Sequence, residues 1–504
     1  MQKAGSKSNS RRTRSATSEP SRCRQTQSAG DRRRKAPVGL GGRCELSKIE
    51  IEGSSKLEEK AVGIATSRQV YATRSSLFDR CRYFLGDGAG LPGDWRWVAI
   101  GLALICPLAA AGCGRTAAAS YRLNLVESAK QRLKPEQEQQ VATILTALFG
   151  TPDEPIALTE TGLDEAKLAL AAGPVRSDIV GRKNGLYREH CAHCHGVTGD
   201  GMGPTAAFLN PYPRDYRPGV FKFKSTERAD KPTHGDLVMV LRNGLAGSSM
   251  PSFALLSDAK IDALAEYVKY LSMRGEVELA LMRAFFELDD EDQGRLPEDR
   301  DFLIDEILLP VAESWQGAED ALIEVPEMPS DLDLAASVAK GKELFYGNKA
   351  NCVKCHGVTA LGDGQVNDYD DWNKVVVQAH KTVVGKLEQA GKTSTWEMDA
   401  EEVAEHRAEL AWLDRFEQVL DGNALPPRTI RPRNLRQGVY RGGMRPLDLY
   451  YRIHAGINGA PMPAAKGTVP PEDIWHIVNY IRSLPYGFNG TLGVDRPMVA
   501  RDRL

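Results

Sequence analysis

The string Cys-x-x-Cys-His occurs twice in this 504-residue chain, in REHCAHCHGVTGDG as Cys191, Cys194 and His195, and in NKANCVKCHGVTALGDG as Cys352, Cys355 and His356. At this composition such a string is expected by chance on the order of 0.003 times per chain, so the pair dominates any reading of the fold. Three residues are about one helical turn, so both thiols of each pair face the same side and the adjacent imidazole follows directly. That is the arrangement of c-type haem attachment, in which the thiols add to the two vinyl groups and the imidazole becomes the proximal ligand of the iron. A zinc ribbon also uses two Cys pairs, but usually about 15 to 20 residues apart. Here Cys194 and Cys352 are much further separated. A redox-active dithiol gives no reason for His to follow both times.

A sixth ligand is expected as well, and each half supplies a matching candidate. LRNGLAGSSMPSF places Met250 six residues after Gly244, and IHAGINGAPMPAA places Met462 six residues after Gly456. Each methionine precedes a proline, and each is followed by a segment of helical period, DAKIDALAEYVKYLS or PEDIWHIVNYIRSL. A methionine taken at random is more often a core filler. Recurrence of the same offset behind two haem motifs reverses those odds, whereas Met202, Met239 and Met444 have no such counterpart and read as packing or loop residues.

The halves are also alike between the two ligands. PRDYRPGVF, starting at Pro213, aligns with PRNLRQGVY, starting at Pro432, which makes the duplication internal. The second half carries 58 extra residues before this segment and seven fewer after it. A mostly helical insertion is therefore expected at about 366–428, where Leu410, Leu413, Phe416 and Leu420 give one apolar face. KPEQEQQVATILTALFG reads as an amphipathic helix ended by Gly150, while GEVELALMRAFFELDDED and DFLIDEILLPVAESW read as two linker helices.

On these residues, together with the Gly-Lys-Glu-Leu-Phe segment from Gly341 to Phe345, the chain resembles tandem class I cytochromes c, including the dihaem subunits of haem-copper oxidases and similar periplasmic electron carriers. The resemblance covers about 178–274 and 331–490. It implies an all-α fold, two small helical domains each wrapped around one covalently bound haem c, with His and Met on opposite faces of the iron. The expected organisation is a disordered basic leader at 1–90, a signal peptide or membrane anchor at 91–112, a helical region at 113–177, cytochrome c domain 1 at 178–274, a helical linker at 275–330, cytochrome c domain 2 with its insertion at 331–490, and a tail at 491–504.

Composition sharpens the view of the amino terminus. Residues 1–112 hold 20 basic and 10 acidic residues, the remaining 392 hold 45 and 57, so an acidic main body argues against nucleic-acid binding. The Arg-, Ser- and Gly-rich leader has too little apolar surface to order itself, and a translation start near Leu91 is a further reading of it. WVAIGLALICPLAAA, from Trp97 to Ala111, is uncharged but shorter than the roughly 20 residues that span a bilayer and contains Pro107, so it fits a signal-peptide core. AAGC at its end resembles a bacterial lipobox with Cys113 as the lipid attachment site; an uncleaved anchor is the alternative. Either places the chain on the periplasmic side, tethered to a membrane.

The expected role is a relay, not an enzyme. An imidazole and a thioether together close both axial positions, favour ferrous iron and leave no site for substrate. The partners expected are redox proteins, a quinol-oxidising complex on one side and a terminal oxidase or reductase on the other. A dihaem cytochrome c peroxidase is the alternative, with His234, His380, His406 or His454 as a switched ligand or acid-base group. A non-catalytic haem subunit of a larger oxidase or dehydrogenase is the third reading.

Overall fold

Helical period dominates the sequence after residue 118, and the computed structural model is correspondingly all-α, with two short strand pairs. It describes residues 118–486 apart from 179–180, 329–331, 391 and 393–397. The basic leader, the segment 97–111, Cys113 and the tail at 491–504 lie outside the described residues. Among the described residues, no helix is long and apolar enough to cross a membrane.

Three helices precede the hairpin that leads to the first haem motif: α1 (Leu125–Lys130), α2 (Pro135–Phe149) and α3 (Glu165–Ala171). Pro135 opens α2, where its missing N–H has no partner to lose, and Gly150 ends it in a positive-φ conformation. A hairpin of β1 (Val175–Asp178) and β2 (Gly181–Asn184) then leads into α4 (Leu186–His190) and the haem-motif turn α5 (Ala192–His195). After a loop come α6 (His234–Asn243), capped by Thr233, and α7 (Asp258–Glu287).

α7 runs for 30 residues, about 45 Å, without a break. The expected boundary at 274/275 thus falls inside a helix, and GEVELALMRAFFE continues the closing helix of the first domain instead of forming a separate one. Gly275 does not end it. A Cβ there would lie 2.3 Å from the Arg217 Cα, so the glycine admits a neighbouring backbone. Leu264, Tyr267, Tyr270, Leu271, Met273, Val277 and Leu281 on α7 are fully buried and form the centre of the first core, with Val141, Leu145 and Phe149 of α2 and Leu168 of α3 against them.

The linker continues as α8 (Asp290–Arg295), a π-helical turn at Phe302–Leu308, and α9 (Leu309–Gln316). The widened turn falls just before Pro310, whose missing N–H interrupts the ordinary ladder.

In the second domain α10 (Leu334–Tyr346) leads to the haem-motif turn α11 (Val353–His356). The insertion is a helical hairpin, α12 (Asp371–Ala390) and α13 (Ala400–Asn423), and a two-residue strand pair, β3 (Asp368–Tyr369) with β4 (Thr429–Ile430), joins its ends. α14 (Pro446–His454) and α15 (Pro471–Ser483) complete the fold. α10 crosses α15 closely, because Gly341 leaves room for the His476 carbonyl; a Cβ would meet that oxygen at 1.9 Å. Phe345, Tyr450, Ile474, Ile477 and Val478 fill the second core. Leu413, Phe416 and Leu420 of α13 are buried as their spacing predicts. With Val383 they close on Ala129 of α1, and Trp412 Nε1 donates to the Ala129 carbonyl at 2.8 Å.

Candidate functional site

Each Cys-x-x-Cys-His string is one helical turn. His195 N–H donates to the Cys191 carbonyl at 2.9 Å and His356 N–H to the Cys352 carbonyl at 2.9 Å. The turn stops at Gly196 in one half and Gly357 in the other, both at positive φ, and the chain folds back so that Gly201 and Gly362 donate to the carbonyls of His195 and His356. The imidazoles are then fixed the same way. His195 Nδ1 pairs with the Arg214 carbonyl at 3.0 Å, and His356 Nδ1 with the Arg433 carbonyl at 3.1 Å. Arg214 and Arg433 are the matched second residues of PRDYR and PRNLR.

A carbonyl can only accept, so each ring carries its proton on Nδ1 and presents a free Nε2 lone pair. Burial keeps the rings neutral: it lowers the pKa of His195 to about 4 and that of His356 also downward, against the opposing pull of the carbonyl bond. Burial likewise pushes the Cys191 thiol up to about 12 and the Cys352 thiol up to about 11. These are protonated, enclosed thiols, unlike the exposed low-pKa thiolates of redox dithiols. Among the described residues no cluster of three or more His, Cys, Asp or Glu side chains is placed to hold a metal ion, so the two pairs do not assemble a zinc site.

The methionine loops repeat one another too. Leu245 N–H donates to the Met250 carbonyl and Ile457 N–H to the Met462 carbonyl, both at 3.1 Å, after Gly244 and Gly456 have turned the chain at positive φ. Cys191, Cys194, His195, Met250, Cys352, Cys355, His356 and Met462 all line one continuous cavity of about 1210 Å³. That exceeds the roughly 300 to 1,000 Å³ of an ordinary ligand pocket. Apolar walls come from Leu237, Leu241, Phe253, Leu449 and Ile453.

Residues 181–268 match the family described as cytochrome c oxidase, cbb3-type, subunit III, and residues 338–485 match cytochrome c. The chain carries two cytochrome c domains in tandem. Its two domains carry two covalently bound c-type haems with iron. The residues present fit the group: two thiols and a neutral imidazole per motif turn, a thioether facing the same space, and a cavity larger than one ordinary ligand needs. No curated protein matches the sequence. Among solved structures, a chain of the reducing HAO-like protein complex of Kuenenia stuttgartiensis is similar at 20% identity, with a TM-score of 0.37, covering 59% of this chain and 93% of that one.

The four histidines that the peroxidase alternative would draw on stand apart from the cavity of the cytochrome. His454 is buried but outside the cavity lining; its ring stacks on Tyr450 and its Nε2 lies 3.3 Å from Glu227. His234 pairs with Asp262 and lies near Glu266, and His380 and His406 lie on α12 and α13. None of the four lines the cavity, whereas His190 and His193, beside the first motif, do. The sequence reading passed over the contribution of Arg214 and Arg433, though their matched positions in the duplicated segments carried the signal. It also passed over Lys222 of the first domain, whose ammonium pairs with Asp370 at the base of the insertion at 2.7 Å.

Proposed function

We propose that this tandem cytochrome is a membrane-tethered electron relay on the periplasmic side, taking electrons from a quinol-oxidising donor and passing them to a terminal oxidase or reductase. The observation that carries the reading is the single cavity lined by two complete Cys-Cys-His-Met sets. When bound, the two haems supply reversible one-electron exchange between ferric and ferrous iron, and a thioether opposite an imidazole favours the ferrous side. The chain's own residues do the rest. The carbonyls of Arg214 and Arg433 hold the imidazole protons on Nδ1, Met250 and Met462 bring the thioethers that would hold each iron together with His195 and His356, and apolar walls exclude water.

The peroxidase alternative draws less support, because it needs a haem that opens to peroxide. Both halves bring a methionine to the cavity, and His454 is directed to Glu227. Redox titration followed by optical and magnetic spectroscopy tests the relay. Two six-coordinate low-spin haems that neither bind carbon monoxide nor turn over peroxide when half reduced support it; a five-coordinate or bis-His haem in the parent rejects it. Tethering is tested at the native amino terminus by mass spectrometry. A lipidated Cys113 or an intact 97–111 segment supports it, and a water-soluble, unlipidated mature chain rejects it.

A further inference from the structure

The first domain is longer than the second by seven residues between its PRDYR segment and its next helix: 222–232 stands where the second domain has only 441–444. That surplus is an arm laid on the end of the linker and on the second domain. Ile323 N–H donates to the Ser225 carbonyl, Thr226 bridges to Leu322, and Glu227 pairs with Lys466 at 2.6 Å. Arg228 reaches furthest. Its Nη1 donates to the Met462 carbonyl at 2.8 Å and its Nη2 to the Ala460 carbonyl at 3.1 Å. A Cβ on Gly456 would lie 2.7 Å from the same guanidinium, so the glycine that turns the chain also leaves the space Arg228 fills.

The two methionine loops differ at the positions where this matters. In the first, Ser248 Oγ donates to the Leu245 carbonyl at 2.7 Å and accepts from Met250 N–H at 3.3 Å, while Ser252 Oγ donates to the Arg242 carbonyl at 2.6 Å. The loop is stitched by its own side chains. The matched residues of the second loop are Ala460 and Ala464, which can make neither bond. The second domain reaches the first loop one turn earlier, at Gly247: Arg441 donates to its carbonyl at 3.3 and 3.2 Å, and the Arg433 guanidinium fills the space where a Cβ on Gly247 would stand. The hydrogen bond found at the Met250 carbonyl is the one from Leu245 N–H of the same loop.

We infer that Arg228 of the first domain is the positioning residue for the axial methionine of the second haem, replacing the serine stitches which the second loop lacks. This rests on the reading of Met462 as an iron ligand. Both loops are touched by the opposite domain, but they differ at the methionine itself: Met250 is tied by a serine of its own loop, and Met462 by an arginine of the other domain.

The test uses the full-length dihaem protein and the weak near-infrared sulfur-to-iron band of ferric haem. In a Met250→His background the band reports Met462 alone, and in a Met462→His background it reports Met250 alone. Arg228→Gln is expected to let imidazole displace the Met462 thioether at concentrations about tenfold lower or more, the usual scale for losing a charge-assisted hydrogen bond. In the Met462→His background the same change is expected to leave the imidazole titration where it was. Adding Ala460→Ser, which restores the missing stitch, is expected to recover most of the loss. Equal weakening of both methionines, no weakening of Met462, or no recovery with serine would each overturn the inference. Absence of any band in the Met250→His protein before Arg228 is touched removes the ligand reading itself, and this inference with it.

Discussion

The phenol ring of Tyr216 lies flat on the imidazole of His195, with centroids 4.7 Å apart and 18° between the planes. Burial raises its pKa far above the ordinary value, so the ring stays neutral beside the imidazole. The matched residue of the second domain is Leu435, and the ring found near His356 is Phe345, tilted and 6.3 Å away. The two proximal histidines thus share a carbonyl acceptor but differ in what supports their faces. Tyr216→Leu is expected to change the potential of the first haem and leave the second unmoved in a redox titration. It should also cost about 1 to 3 kcal/mol in thermal unfolding, from lost ring contacts. Tyr216→Phe should stay close to the parent in both measurements.

Haem attachment is expected to be separable by domain. Replacing Cys191 and Cys194 by Ser should halve the haem-to-protein ratio, and replacing Cys352 and Cys355 should do the same, read by haem staining after denaturing electrophoresis and by intact mass. A zinc-loaded, haem-free product from the parent would falsify the attachment reading.

Axial substitution should separate the two irons. Met250→His or Met462→His is expected to lower the potential of one haem only, since imidazole stabilises ferric iron better than a thioether. The alanine variants should each open one position to carbon monoxide. Unchanged spectra in either variant would show that the methionine never bound iron.

Gly341→Ala probes the crossing of α10 and α15. Its new methyl would collide with the His476 carbonyl, a backbone atom that cannot swing aside. A loss of about 3 kcal/mol is expected in denaturant unfolding, in the range for overpacked cores, with the second haem's absorbance affected before the first.

The arm between the domains should respond to acid. Partial burial alone would raise the Glu227 pKa, but hydrogen bonds from Lys466 and His454 outweigh it and hold the carboxyl below its ordinary value. A depressed carboxyl binds its proton later in the folded state, so its contribution is present above about pH 4.3 and is lost as pH falls through the folded value. The pair is partly exposed, and at most about 1 kcal/mol is at stake. Glu227→Gln should therefore lower the melting temperature slightly at pH 7 and make no difference near pH 2.

The haem motifs, both methionine loops and the helical insertion with its apolar face on α13 were legible in sequence because each depends on local spacing: one helical turn, one Gly-to-Met interval, one three- and four-residue apolar step. The unbroken run of α7 was hidden, since Gly275 reads locally as a stop and its reason lies in Arg217, 58 positions earlier. The packing of Leu413 and Phe416 on Ala129 was hidden for the same cause, because a period shows that a face is apolar and not what covers it. The merging of the two pockets into one cavity depends on how the domains meet, which no interval within either half encodes.

The strand pair Asp368–Ile430 and Tyr369–Thr429 brings the chain back to the place where it left the second domain. To the rest of that domain the sixty or so residues between are no more than a tight loop, and the entropy of closing a loop grows only slowly with its length. The hairpin is in this sense a graft. Its joint is also where Asp370 receives Lys222 and where Arg428 donates to the carbonyls of Leu209 and Ala207, so the graft fastens the two cytochrome domains at its root.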